Sequence, residues 1–416
     1  MAVRCVLVGM PSAGRPADQV VAALQETRHG DADWRHGRTF SLIYNSGDAE
    51  LEALLERVAA DFAHDNALNP VAFPSLRRLE KDVVAASAEL LGGRPDAGCM
   101  TSGGTESILM AVKVARDVGR RGGVENPNIV VPATAHPAFA KAAHTLGIDE
   151  RRVPVGEDLR ADVTAMEAAV DEATALVVGS APCYPFGVVD DIGSLAALAA
   201  ARGILCHVDA CLGGWLLPFM VELGRPIPPF DFAVDGVTSM SADVHKFGYS
   251  TKGASTVLYR DRDLLRDQHF VFDGWPGGRY GSPAAAGARP GAPIATAWAA
   301  VHHLGRSGYL RLAQRVLDAF DAFTAGIDAI DGLAVTGEPD FPSFQFSSTD
   351  PAIDVAGVAD VMDDRDWHLD RQQGGLHLML SPHHASVAEP FLADLREAAA
   401  CAAPSRGRAA TYGDTG

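Results

Sequence analysis

One short segment, ILCHVD at residues 204–209, has the pattern of a buried strand whose last residue is a carboxylate. Other apolar, partly β-branched runs bounded by turn residues occur at Asn128–Pro132, Ala175–Ser180 and Ala254–Tyr259. The stretches between these runs have helical patterns, as at Ala135–Leu146, Val163–Glu172 and Ile192–Ala201. This alternation predicts an α/β fold with a mostly parallel sheet that helices cover on both faces.

The chain has 416 residues, which is too many for one small domain. Prolines at 70 and 74 and a Gly- and Pro-rich stretch at 270–293 mark breaks in the pattern. We predict an N-terminal arm at 1–74, a large domain at 75–293, a small C-terminal α+β domain at 294–402 and a disordered tail at 403–416. The arm is predicted to contain helices at Ala17–Glu26 and Ala49–His64.

Charge and composition argue against several classes of partner. Lys and Arg total 35 against 53 Asp and Glu, and the net charge of −18 argues against nucleic acid or an anionic membrane as the main partner. The six cysteines form no Cys-x-x-Cys pair and are predicted to be free thiols in a reducing compartment. Because we find no signal peptide and no run of 18 apolar residues, we expect a cytoplasmic protein without a transmembrane segment.

Residues 101–106, TSGGTE, directly precede a predicted helix at Ser107–Val118 and have the composition of a phosphate-binding turn. Gly103 and Gly104 would let the backbone approach a phosphate, and the Thr105 hydroxyl would add a hydrogen-bond donor. The helix start would add free N–H groups and a positive dipole end. The turn lacks the lysine of a nucleotide-binding P-loop, and on its own it is equally typical of an ordinary capped helix start.

Three further residues would meet the other needs of one cofactor. Asp209, at a strand tip, could form an ion pair with a pyridine nitrogen, and His136 could stack on the ring. Lys246 follows an apolar run and is expected among buried neighbours, where burial would favour its neutral amine and let it condense with an aldehyde. Alone, each has an ordinary explanation: a capping Asp, a core His or a solvated Lys. The ordered set predicts pyridoxal 5'-phosphate held as a Schiff base on Lys246.

Metal binding is not predicted. The adjacent pairs His302-His303 and His383-His384 cannot easily direct both rings at one ion from a helix, and we interpret them as surface or packing residues. Asp190-Asp191 and Asp363-Asp364 are interpreted as solvated charge or helix caps.

Several longer blocks of the sequence resemble one enzyme family. They are TSGGTESILM at 101–110, HVDACLGGWLL at 207–217, GVTSMSADVHKFGYSTKG at 236–253, GSPAAAGARPG at 281–291, and in the arm DWR at 33–35 and FPSLR at 73–77. Over about residues 10–395 the chain resembles fold-type I pyridoxal phosphate enzymes of the group II decarboxylase superfamily, and within it the sphingosine-1-phosphate lyases. The resemblance implies an aspartate aminotransferase-like fold and a homodimer with active sites at the subunit interface.

The resemblance also implies roles for individual residues. It places the Schiff base on Lys246, the partner of the ring nitrogen at Asp209 and the stacked ring at His136. The residues implied to hold the cofactor phosphate are Gly103, Gly104, Thr105, His245 and, reaching across from the other subunit, Ser282.

In this family a substrate phosphate is held by an arm tyrosine, an Asn-Pro-Leu-His motif and a second lysine. Tyr44, Asn66 and Lys252 match three of these residues, and Tyr44 is also a candidate for the catalytic set. The fourth differs: Asn69 stands where the family has histidine. An asparagine can donate a hydrogen bond but cannot carry charge, which weakens the case for the family's usual phosphorylated substrate.

Three functions follow as hypotheses. The first is retro-aldol cleavage of a phosphorylated 2-amino-3-hydroxy substrate to a fatty aldehyde and ethanolamine phosphate. The second is amino-acid α-decarboxylation, which uses the same cofactor as an electron sink and which the Asn69 difference keeps open. The third is a non-catalytic binding protein on the same fold, against which Lys246 and Asp209 argue.

Overall fold

The computed structural model of the protein describes residues 9–401 and 403–407. The arm contains helices α1 (Ala17–Thr27) and α2 (Ala49–Asp61), and α3 (Pro74–Leu90) leads into the large sheet. The Asp48 side chain accepts hydrogen bonds from two backbone N–H groups at the start of α2, so it sets where that helix begins. Both arm helices begin at the predicted residues.

The large sheet contains strands β1 to β7, at Gly98–Thr101, Asn128–Pro132, Asp149–Val153, Thr174–Ser180, Leu205–Asp209, Ser239–Ala242 and Ser255–Tyr259. Their order is β1-β7-β6-β5-β4-β2-β3. The five strands from β6 to β3 in that order pair in parallel, and β7 pairs antiparallel with both β1 and β6. The prediction of an α/β fold with a mostly parallel sheet is confirmed.

Helices α4 to α8 lie between successive strands, at Gly104–Arg121, Ala138–Leu146, Val163–Ala169, Ile192–Arg202 and Leu217–Glu222, and α9 (Arg262–Gln268) follows β7. Successive residues of one strand enter different hydrophobic clusters: Val130 and Val177 belong to one cluster, whereas Ile129 and Leu176 belong to another. Because alternate side chains of a strand point to opposite faces, both faces of the sheet are covered.

The Gly- and Pro-rich stretch contains a hairpin of β8 (Phe270–Phe272) and β9 (Tyr280–Ser282). A long helical segment, α10 (Gly291–Asp328), follows it. Gly305 interrupts α10 with φ 53° and ψ −179°, a conformation that glycine adopts without the steric cost of a Cβ. The first part of α10 packs in the cluster of the large sheet, and Phe320 and Phe323 of its last turns pack in a second cluster.

The second cluster lies under a small antiparallel sheet. Its strands β10 to β13 are Leu333–Val335, Ser343–Ser348, Asp370–Gln372 and Gly375–Met379, in the order β10-β11-β13-β12, with helices α11 (Val355–Asp363) and α12 (Ala388–Cys401). The expectation of a smaller C-terminal α+β unit is confirmed, whereas the residue boundaries of the domains stay predictions. Of the predicted tail, the backbone N–H groups of Ser405 and Arg406 donate to Asp354 and Asp360, and residues 408–416 lie outside the described part.

Two further expectations concern location. Among the described residues, no helix has both the length and the apolar character needed to cross a membrane. The five cysteines that the structure describes are free thiols, and four of them are buried. The cytoplasmic location stays a prediction.

Candidate active site

A cavity of about 370 Å³ opens where the parallel strands β4 and β5 end. Ligand sites of such sheets form at the carboxyl ends of the strands, where successive loops meet. The cavity brings together eight of the residues predicted from the sequence: Tyr44, Gly103, Gly104, Thr105, His136, Asp209, His245 and Lys246.

The turn before α4 has the shape of an anion cradle. A Cβ at Gly104 would lie 2.7 Å from Cys211 Sγ and 2.9 Å from Asp243 Oδ2, so only glycine fits there. The Glu106 carboxylate accepts a hydrogen bond of 2.6 Å from Ser102 N and another of 2.7 Å from Ala285 N. These bonds hold the turn in place, and α4 directs its first N–H groups towards the cavity from Gly104 onwards.

Asp209 is the last residue of β5 and is only 7% exposed. Its Oδ1 accepts hydrogen bonds from Cys211 N at 3.1 Å and from Ser241 Oγ at 3.2 Å. These two bonds fix the orientation of a carboxylate that lines the cavity. A carboxylate in this position could accept a hydrogen bond from a protonated ring nitrogen, and that role of Asp209 stays a prediction.

Lys246 has an acidic neighbour that the sequence analysis did not identify. Its Nζ lies 3.0 Å from Asp243 Oδ2, and Asp243 is buried. Burial lowers the pKa of Lys246, but the attraction of Asp243 and other anionic groups outweighs burial and holds this pKa well above its ordinary value. The expectation that burial alone keeps the amine neutral is therefore wrong, because the Asp243 carboxylate stabilises the ammonium form.

His136 presents a neutral ring to the cavity. Its Nδ1 lies 3.1 Å from Ala138 N and accepts that hydrogen bond, which leaves Nε2 as the protonated nitrogen. Burial lowers the pKa of His136, and the Lys246 ammonium lowers it further, against the opposing effect of Asp209. A neutral imidazole is suited to stacking on an aromatic ring.

Lys252 and Tyr44 form a cationic corner beside the cavity. The Lys252 Nζ lies 4.6 Å from the centroid of the Tyr44 ring, within the range of a cation–π interaction. Desolvation by the surrounding protein and repulsion from Lys246 lower the pKa of Lys252 to about 8. The ammonium is therefore charged near neutral pH and is suited to an anionic group of a ligand.

Four predicted residues do not line the cavity of this chain: Lys252, which lies beside it against Tyr44, and Asn66, Asn69 and Ser282. Asn66 Oδ1 accepts from Leu68 N at 2.9 Å, and Asn69 Oδ1 accepts from Val71 N at 3.0 Å, so both side chains shape local turns. Ser282 is buried, and its hydroxyl donates to two backbone carbonyls of its own loop. Their roles in binding phosphate stay predictions.

Tyr184 is a second residue that the sequence analysis missed. It lines the cavity, and its hydroxyl donates a hydrogen bond of 2.6 Å to Asp370 Oδ2 on β12. It lies four residues after the end of β4, so the rule that placed Asp209 in the site could have identified it. Asp243 could likewise have been identified, because it lies three residues before Lys246.

The histidine pairs have structural surroundings. His302 stacks on Trp298 with ring centroids 3.7 Å apart, and its Nδ1 lies 2.8 Å from the Trp298 carbonyl oxygen. His384 is buried, and its Nδ1 accepts a hydrogen bond of 2.8 Å from Ser381 N. In the described part of the chain, no group of three or more His, Cys, Asp or Glu side chains is arranged to hold a metal ion.

The cavity residues fit pyridoxal 5'-phosphate. The close approach at Gly104 leaves backbone N–H groups open to a phosphate, and Asp209 supplies a carboxylate for a ring nitrogen. The buried Oδ1 of Asp243 has no hydrogen-bond partner among the described residues, which is the state of a site built to surround a further polar group.

Comparison with known proteins agrees with this fit. The sequence profile described as the pyridoxal-dependent decarboxylase conserved domain matches residues 23–347. The chain belongs to this family. Within the family it is a sphingosine-1-phosphate lyase-like member, as the resemblance implied: it is 42% identical to the sphingosine-1-phosphate lyase of Arabidopsis thaliana over 91% of this chain and 71% of that protein.

Solved structures give the same result for this pyridoxal-dependent decarboxylase family member. A sphingosine-1-phosphate lyase of Burkholderia pseudomallei superimposes with a TM-score of 0.90 at 40% identity, covering 94% of this chain and 92% of that one. A glutamate decarboxylase of Lactobacillus brevis superimposes with a TM-score of 0.82 at 19% identity, covering 94% of each chain. The second likeness shows the fold alone, and both confirm the predicted fold class.

Proposed function

We propose that this enzyme is a pyridoxal phosphate-dependent carbon–carbon lyase. Its substrate is a phosphorylated 2-amino-3-hydroxy compound resembling a sphingoid base, and its products are a fatty aldehyde and ethanolamine phosphate. The observation that carries the proposal is the Lys252 ammonium over the Tyr44 ring beside the cavity of Lys246. The ammonium would supply a cation for the substrate phosphate close to Lys246, and the chain is 42% identical to a sphingosine-1-phosphate lyase.

Pyridoxal phosphate supplies an aldehyde for the substrate amine and a ring that takes up the electron pair released at Cα. Lys246 would hold its aldehyde, Asp209 its ring nitrogen and His136 its ring face. The residues that would hold its phosphate are Gly103, Gly104, Thr105 and His245. The carboxylate of Asp209 keeps a fixed orientation through Cys211 N and Ser241 Oγ, so its charge is available at one point.

In the proposed reaction the C2–C3 bond of the substrate breaks. The 3-hydroxyl loses its proton to a base, C3 leaves as the aldehyde, and C2 gains a proton, so the atoms of substrate and products balance. Lys246 lies at the cavity and is our candidate to carry the proton to C2. Tyr44 and Lys252 orient the phosphate so that the C2–C3 bond, and no other bond at C2, is the one that breaks.

The test is product analysis with purified enzyme loaded with pyridoxal phosphate. We expect aldehyde from sphingosine-1-phosphate or from a short-chain phosphorylated analogue. Carbon dioxide from an amino acid, with no aldehyde from any phosphorylated amino alcohol, would instead establish α-decarboxylation. That second candidate is kept because Asn69 replaces a histidine and its side-chain oxygen is used in a turn.

Because the pKa of Lys252 is lowered to about 8, we predict that kcat/KM for a phosphorylated substrate decreases on the alkaline side of its pH profile, which we call the basic limb. Below that pH the ammonium attracts the substrate phosphate, and above it the charge is lost. We therefore expect kcat/KM for a phosphorylated substrate to fall by about tenfold as pH rises through the pKa of Lys252, since one charged contact is lost. The Lys252→Arg variant should retain kcat/KM to higher pH, and Lys141→Arg on the exposed side of α5 should not alter the profile.

A profile that falls equally in the wild type and in Lys252→Arg would contradict this assignment. A non-phosphorylated analogue provides an internal control, because its kcat/KM should lack the limb altogether.

We also propose that the enzyme is a homodimer. Apolar side chains of the hairpin are exposed: Phe270 by 57%, Phe272 by 50% and Trp275 by 56%. Helix α1 has no buried residue, and Val20, Val21 and Leu24 on it are exposed. Apolar surface of this kind marks an interaction site. Pairing of two copies would also let Ser282 of the partner subunit complete the phosphate site, as the family resemblance implies.

Light scattering after size exclusion tests this proposal. We expect the wild type at twice the mass of one chain and Phe272→Asp/Trp275→Asp at the mass of one. Val221→Asp, on an exposed apolar residue of α8, should leave the mass of the dimer unchanged. A wild type that elutes as a single chain would contradict the proposal.

A further inference from the structure

A second cavity, of about 480 Å³, lies next to the active-site cavity and shares His136 and Tyr184 with it. Its walls come from the loop after β2, from the loop after β4 and from strand β12 of the small sheet. The cationic corner of Tyr44 and Lys252 does not line the second cavity. The second cavity is therefore a separate compartment that begins at the reacting centre.

Two arginines line the second cavity, but neither offers a site for an anion. Arg152 Nη1 donates to the Ala133 carbonyl at 3.1 Å and the Ala135 carbonyl at 2.8 Å, and its Nε donates to Glu150. Arg371 forms ion pairs of 2.8 Å with Asp360 and 2.6 Å with Asp363. Glu150 is the anionic partner of Arg152, and two carboxylates pair with Arg371, so the described lining offers a carboxylate or phosphate no guanidinium without an anionic partner.

Several other polar groups of this wall bind one another. Asp370 accepts from the Tyr184 hydroxyl at 2.6 Å and from Ser41 Oγ at 2.8 Å. Gln345 Nε2 donates to Gln372 Oε1 at 3.1 Å, and to the carbonyl of Gln373. The remaining lining is mostly apolar and comes from Ala133, Ala135, Pro137, Val155, Pro185 and Phe186. Thr134 also belongs to this lining, and its hydroxyl oxygen is buried without a hydrogen-bond partner among the described residues.

We propose that the second cavity is the subsite for the alkyl chain of the substrate. The inference rests on the proposed lyase function and adds the position of the chain. The alkyl chain of the substrate is attached to C3, the carbon that becomes the aldehyde. The alkyl chain must therefore start at the reacting centre and extend away from the cationic corner. A mostly apolar compartment whose charged side chains are already paired favours a hydrocarbon over an amino-acid carboxylate.

This subsite gives the enzyme a preference for long chains. Each methylene removed from water strengthens binding by about fourfold. A short-chain analogue does not depend on the second cavity, because its phosphate and amine are held at the first.

The test uses two substitutions that reduce the volume of the second cavity, one on each of two walls. In Ala133→Trp the larger side chain would fill part of the second cavity from the exposed loop after β2. In Gln373→Trp it would do so from the exposed end of the small sheet. Ala200→Trp, on the exposed face of α7, is the matched control because it lines neither cavity. For each holoenzyme, kcat/KM is measured with sphingosine-1-phosphate and with a short-chain phosphorylated 2-amino-3-hydroxy alkane, and the thermal melt checks folding.

We expect both cavity variants to lower kcat/KM by at least about tenfold for the long-chain substrate and by less than about twofold for the short-chain substrate. The control variant should keep kcat/KM unchanged for both substrates. An equal loss for both chains in folded variants, or no loss for either, would overturn the subsite. If the wild type releases no aldehyde from either substrate, the proposed function fails and the subsite fails with it.

Discussion

Lys246→Ala is expected to purify colourless with pyridoxal phosphate and to lose turnover by at least about 10³-fold. The side chain removed is the only amine that lines the cavity within the described residues. Without it, the cofactor aldehyde has no amine to bond, and C2 of the substrate has no neighbouring group of this kind to return its proton. The measurement is the visible absorbance band before and after borohydride, together with aldehyde release.

Lys246→Arg is the matched variant for this experiment. An arginine can keep the ion pair that Lys246 Nζ makes with Asp243 at 3.0 Å, so the fold should be retained. Its guanidinium stays protonated and does not condense with an aldehyde. If either variant keeps both the band and the turnover, Lys246 is not the residue that holds the cofactor.

Asp209→Asn is expected to keep the visible band and lower kcat by about 10²- to 10⁴-fold with little change in KM. The asparagine has the same size, and its side-chain oxygen can still accept from Cys211 N and Ser241 Oγ. What is lost is the negative charge that keeps the ring nitrogen protonated while electrons move into the ring. The loss therefore appears in the chemical step and not in binding.

Asp149→Asn, at the exposed start of β3, removes a carboxylate away from the cavity and serves as the control. Its kcat should equal that of the wild type. A full rate in Asp209→Asn would mean that another group supplies the charge at the ring nitrogen.

The strands with apolar runs were the easiest part of the fold to predict. β2 occupies the residues predicted for it, and β4, β5 and β7 each begin within one residue of the prediction. The missed strands lack that pattern. β3 reads DERRV and lies at the edge of the sheet, where Asp149 is exposed and Arg152 forms an ion pair with a largely buried Glu150, and β6 reads SMSA, whose serines face His207 and Asp209.

The first cavity could be predicted in outline because parallel strands bring their ends together. What the sequence did not show was the electrostatic pairing of Lys246 with Asp243, which depends on a turn that points both side chains to one side. Tyr184 and the second cavity were also missed. They depend on contact between Tyr184, in the loop after β4 of the large sheet, and Asp370, in β12 of the small sheet, which are 186 residues apart.

The replacement of the family's histidine by Asn69 can be interpreted only once the fold is known. Its side-chain oxygen accepts from Val71 N and Ala72 N, so its amide N–H groups remain the part that could reach a ligand. An uncharged donor binds phosphate less strongly than a protonated histidine. More of the phosphate recognition then falls to Lys252, which is the reason for the pH limb expected above.

The two hydrogen bonds that the Glu106 carboxylate accepts have a wider consequence. One carboxylate accepts from Ser102 N beside the anion cradle and from Ala285 N in the segment that follows the exposed hairpin. Filling the cradle must therefore stiffen the surface through which we propose that two copies meet. Thermodynamic reciprocity then requires that association of the chains strengthens coenzyme binding by the same factor, so dilution to separate chains should lower the bound coenzyme and with it the visible band.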